Sequence, residues 1–199
     1  MTDQMGPDDA RRAEKEHQDP PHPDPWRGST QHKRHQTQTD TGPLTQPDRY
    51  PASVCALRID PDATSSRLDL PTDQAAQHNV LRSLIGGSTD RAVYHRHALL
   101  HLHGNGAGMR LPVNPAAWAL ACSWRGLDLP YRLYGPVIVT GPDTSGTVED
   151  LKDRLLAQAE EVARRAKELR LEWSARPPVS EPAARQELLA YTRRAIHHT

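Results

Sequence analysis

The chain predicts an α+β fold: a small, mostly antiparallel sheet with two packed helices, followed by a C-terminal helical tail. Three observations carry that expectation. Short apolar runs alternating with polar residues are confined to residues 52–143 and are punctuated by Gly, Pro and Asp turns. Two helix-favouring segments, each opened by a capping residue and closed by Gly, interrupt those runs. Beyond residue 147 the apolar residues recur at spacings of three and four, the period of a helix.

Only 36% of the 199 residues are hydrophobic, Phe is absent and there are 18 prolines. So little apolar surface cannot form a core along the whole length, and must be gathered in one part of it. Residues 1–50 hold seven of the prolines together with many Asp, Gln, Thr and His side chains. Burial there cannot offset the entropy of ordering, so this segment is expected to be a disordered, extended arm. Its one Trp is Trp26.

The first strand is read at residues 54–59, with Cys55, Leu57 and Ile59 on one face. Asp60, Pro61, Asp62 and Ala63 make a turn, and residues 66–70 return as the second strand. A helix opens at Pro71, Thr72 and Asp73 with Thr72 as N-cap. It buries Val80, Leu81, Leu84 and Ile85 and ends at Gly86. Residues 91–95 and 98–103 read as two strands about a turn at Arg96 and His97, and the glycines 104, 106 and 108 as a loose turn after them. Asn114 followed by Pro115 gives an N-cap and a helical first residue, and the helix runs through Ala-rich sequence to Gly126. Residues 137–140 form a central strand, with Pro136 held to an edge. Thr147 and Asp150 have the spacing of a capping box, which predicts a long helix from there to Pro177. Ser180 caps a shorter last helix. The expected organisation is an arm (1–50), a domain (52–143) and a two-helix extension (147–198).

Charge excludes little but favours little. Lys+Arg and Asp+Glu are balanced at 25 each. No segment holds the positive excess that drives binding to a phosphate backbone, so nucleic acid is not an expected partner. No apolar run approaches the ~20 residues that span a bilayer, and residues 1–24 carry no apolar leader, so a cytoplasmic location and no membrane partner are expected. Cys55 and Cys122 then read as reduced thiols.

The segment Val113-Asn114-Pro115-Ala116-Ala117-Trp118-Ala119-Leu120-Ala121, followed by Tyr134-Gly135-Pro136-Val137-Ile138-Val139-Thr140-Gly141, resembles the domain of unknown function family 3846, found in actinobacteria, phages and plasmids. Gly86-Gly87 and the hairpin segment Leu57-Arg58-Ile59-Asp60-Pro61-Asp62 match further features of that family. The resemblance spans about residues 52–143. It implies a context of mobile elements but no reaction, since the family has none assigned. Family members carry acidic residues before the glycine of the turn preceding the V-N-P helix. Here that turn reads His103-Gly104-Asn105-Gly106, so no role of those acids transfers.

Two sets of residues could carry function. His95, His97, His101 and His103 lie at alternate positions of two adjacent strands, where imidazoles of one face can share a transition metal such as zinc. Against this, a turn at residues 96–97 puts His95 and His97 at one end of the hairpin and His101 and His103 at the other. The second set is Leu151, Leu155, Val162, Leu169 and Trp173, an apolar stripe that can serve a protein partner or self-association through residues 147–176, as in a coiled coil. The same stripe can instead fold back on the domain or on the last helix. No nucleophile, P-loop or paired-carboxylate motif stands out, and no cofactor is expected apart from the zinc alternative. The leading expectation is a non-catalytic binding or interaction module. The others are a metal-binding protein and an accessory DNA-associated protein of mobile elements.

Overall fold

The computed structural model describes residues 53–196. The arm predicted at residues 1–50 lies outside the described residues. The elements are β1 (Ser53–Ile59), β2 (Ser65–Pro71), α1 (Gln74–Ile85), β3 (Thr89–His95), β4 (Ala98–His103), α2 (Pro115–Arg125), β5 (Val137–Thr140), β6 (Asp143–Thr144), β7 (Thr147–Val148), α3 (Asp153–Ala175) and α4 (Glu181–Ile196). Five strands form an antiparallel sheet in the order β2-β1-β5-β4-β3, and β6 and β7 pair in a separate ribbon. The α+β class read from the sequence is the observed one.

The sheet is covered on both faces, which is why its central strand β5 is apolar throughout rather than alternating. Val54, Ala56, Leu70, Leu99 and Ile138 face α1, where Leu81 and Ile85 meet them. Leu57, Ile59, Leu100, Val137 and Val139 face the opposite way, toward α2 and α3. Helix α2 is buried from Ala116 to Cys122 on all sides. A helix apolar all round must be enclosed, and α2 is enclosed by the sheet, α3 and α4. Asn114 fixes its start: Oδ1 accepts from the Ala117 N–H at 3.0 Å, while Nδ2 donates to the Ile59 and Gly135 carbonyls at 2.9 and 3.0 Å. One buried side chain thus ties α2 to β1 and to the residues leading into β5.

Three expectations are corrected. The N-cap of α1 is Asp73, whose side chain accepts from the Ala76 N–H at 2.8 Å, rather than Thr72. The capping box at Thr147 is not used, because α3 starts only at Asp153. Thr147 and Val148 are paired in the ribbon, the Asp150 carboxylate accepts from the Cys55 N–H at 2.6 Å, and the Leu151 N–H donates to the Cys55 carbonyl at 2.9 Å. Those bonds hold the chain extended along β1. The third correction concerns organisation. Residues 147–196 are not an appendage to a core that ends at residue 143. Leu151, Leu155, Val162 and Leu169 of the stripe, with Leu188 and Leu189 of α4, belong to the same apolar cluster as α2 and the sheet. Each such side chain, fully buried, contributes about 1.5–3 kcal/mol. Among the described residues no helix is long and apolar enough to cross a membrane.

Candidate functional site

The antiparallel register of β3 and β4 places Arg91 opposite His101 and Thr89 opposite His103. His101 occupies a position that period-two alternation gives to the α1 face, next to Leu99, and its side chain is 1% exposed. With Thr89, Arg91, Asp143 and the first turn of α1 it lines a cavity of about 530 Å³ between α1 and the sheet edge. Such a volume is in the range of small-molecule sites.

The hydrogen bonding of His101 is determined by its neighbour. Thr140 Oγ1 gives its proton to the Gly141 carbonyl at 2.9 Å. It must therefore accept in its 3.0 Å contact with His101 Nε2. Nε2 is then the protonated nitrogen and Nδ1 is a bare acceptor. No described group partners Nδ1, and the same holds for Thr89 Oγ1 in the same cavity wall. Burial, reinforced by the Arg91 guanidinium, pushes the His101 imidazole down to about 4, against a weaker opposing pull from Asp143. The ring is neutral at pH 7. Arg91 and Asp143 form an ion pair at the cavity wall, so the two charges cancel locally. Gln77 is part of the frame: its amide donates to the Pro71 carbonyl at 3.0 Å and accepts from the Val148 N–H at 2.9 Å, closing the β6–β7 ribbon over the cavity.

The other histidines lie elsewhere. His95 and His97 flank the β3–β4 turn, their ring centroids 5.8 Å apart, and His95 lies 5.6 Å from the Trp124 ring of α2. They are on the α2–α3 side of the sheet, opposite His101. His103 sits at the end of β4 with Nδ1 accepting from the Asn105 N–H at 3.0 Å and its ring over the backbone of Gly87. The four histidines therefore do not converge. Sheet register separates them: His95 pairs with Ala98, which shares the face of Leu100, whereas His101 shares the face of Leu99. Among the described residues no group of three or more His, Cys, Asp or Glu side chains is placed to hold a metal ion.

The apolar stripe is also corrected as a partner surface. Leu151, Leu155, Val162 and Leu169 are buried in the core, and Trp173 is partly buried with its indole N–H donating to Glu187 of α4 at 3.0 Å. The stripe is consumed by α2, the sheet and α4, as the fold-back alternative requires.

Sequence reasoning missed Thr89, Arg91, Thr140 and Asp143, which give His101 its setting. The one signal available was the alternation of the strand, which puts His101 on the face of Leu99 and opposite Leu100 and Leu102. No family model matches the chain, nor does any curated protein or solved structure.

Proposed function

We propose that the domain is a non-catalytic binding module that takes a small, uncharged, hydrogen-bond-donating molecule in the cavity beneath α1. The observation that carries this is the pair of buried polar atoms in one cavity wall, His101 Nδ1 and Thr89 Oγ1, with no described partner. Each unpartnered buried group costs about 1–3 kcal/mol, and a ligand O–H or N–H directed at Nδ1 recovers that cost. The Arg91–Asp143 pair leaves the cavity wall without a free net charge, which favours a neutral ligand over an ion. Binding is favoured over proton transfer because an imidazole held near 4 is a weak base at neutral pH and its other nitrogen is committed to Thr140. Membership of the unknown-function family 3846 and a cytoplasmic location belong to the same reading, the latter supported by the two free thiols Cys55 and Cys122.

A ligand-observed NMR screen of neutral polyols, amides and nucleosides against the full chain tests this. At least one compound is expected to bind, to shift the resonances of both Thr89 and His101, and to lose its binding in His101→Leu. A screen whose hits leave those two residues unmoved, or that yields none, rejects the site.

A further inference from the structure

The opposite face of the sheet carries a second cavity, of about 450 Å³, between the β3–β4 turn, α2 and the start of α3. Its polar wall has one character. Arg96, Lys152 and Arg154 bring three cations, and no carboxylate lines it. Among the described residues none of the three pairs with an acid. Asp153, their neighbour in sequence, does not line the cavity.

Two of the uncharged groups present donors as well. Gln158 is 5% exposed, and the Trp124 indole N–H, a donor only, makes a 3.2 Å contact with its Oε1. That contact fixes the amide orientation and leaves the Gln158 NH₂ as the group available to the cavity. His95 Nδ1 accepts from the His97 N–H at 3.2 Å, so the proton of the neutral ring is on Nε2. Burial and then the charges of His97, Arg96 and Arg154 hold His95 below its ordinary value, in keeping with a positive local field. Ser123 Oγ, in the same wall, is buried and has no partner among the described residues. Helix α3, 23 residues long, begins here after Lys152 with no side-chain cap, so the N–H groups of Asp153 and Arg154 and the positive end of its dipole add to the donor set. The remaining wall is apolar: Trp124, Leu155 and Ile196.

A cavity whose charged groups are all cationic and whose wall is rich in donors, beside an aromatic surface, selects an acceptor-rich anion with an apolar body. Phosphate offers acceptors in every direction and matches Arg and an uncapped helix start. We propose that this cavity binds a small phosphate monoester, with the phosphoryl group on Lys152, Arg154 and Arg96 and the organic group against Trp124.

Isothermal titration of the full chain with inorganic phosphate, phenyl phosphate and phenol tests this at low ionic strength. Phenyl phosphate is expected to bind saturably, about tenfold or more tighter than inorganic phosphate, and phenol not measurably. Lys152→Gln combined with Arg154→Gln, both exposed side chains whose loss leaves the core intact, is expected to weaken phenyl phosphate by at least about tenfold. Thermal unfolding of the double variant checks that it remains folded. The proposal fails if phenyl phosphate shows no saturation, if phenol binds equally well, or if the folded double variant binds as the parent does. These outcomes are independent of the His101 cavity, which lies across the sheet.

Discussion

His101 has two ring nitrogens, and the fold employs one of them. Thr140, whose own proton goes to the Gly141 carbonyl, holds Nε2–H and leaves Nδ1 bare inside the cavity wall. Because burial depresses this imidazole from 6.5 to about 4, the unfolded chain takes up a proton in that interval before the folded chain does. The stability it lends is complete above pH 6.5 and declines as pH falls toward 4, by about 3 kcal/mol over the whole window. Urea unfolding at pH 7 and pH 4.5 is expected to show a loss of stability that is mostly absent in His101→Leu. Equal losses in both proteins contradict a buried neutral His101. At this scale the sequence was partly legible. Asn114 as a cap followed from Asn-Pro alone, since Pro preorganises the first helical residue. The two further bonds of Asn114, to Ile59 and Gly135, did not follow, because they depend on strands distant in sequence.

Among the elements, the segment between β5 and α3 departs most from local propensity. Thr147 and Asp150 have capping-box spacing, yet tertiary bonds to Cys55 and Gln77 outweigh the single turn of helix that a box would begin. The close approach that makes this possible is at Gly141, where a Cβ would meet the Asp150 carbonyl oxygen at 2.3 Å. Gly141→Ala must displace backbone, so a loss of about 2 kcal/mol or more is expected in denaturant unfolding. A change under about 0.5 kcal/mol, the size of an ordinary surface substitution, contradicts the packing of residues 149–151 on Gly141. By contrast the 3.6-residue period of α3 and the Gly stops of α1 and α2 were strong enough to read from the sequence, although the start of α3 was misplaced. What period alone does not tell is which surface a stripe meets. Ala159, Ala163 and Ala166 are fully buried where α3 packs into the core, and that fit exists only in three dimensions.

At the scale of the molecule, the sheet divides two cavities of different charge, one with a paired Arg91 and Asp143 and one with three cations, and both depend on the C-terminal helices or the segment leading to them. The cavity beneath α1 is closed by the β6–β7 ribbon, and the donor-lined cavity is built on the start of α3. Helix α2, buried on every side, has two of its walls in α3 and α4. A chain truncated after Asp143 is therefore expected to lose cooperative unfolding, seen as the absence of a sigmoidal thermal transition by circular dichroism. A cooperative transition like that of the full chain contradicts a shared core. Class and strand order within each hairpin were readable from the alternation and turn residues. The division of four closely spaced histidines between opposite faces was not, because it depends on the hairpin's register and on which helices cover each face. The separation of the two cavities is tested most directly by amide NMR of the full chain during titration with phenyl phosphate. Shifts confined to residues 95–97, 123–124 and 152–158, with Thr89, His101 and Asp143 unmoved, are the predicted result; shifts centred on Thr89 and His101, or on neither set, contradict it.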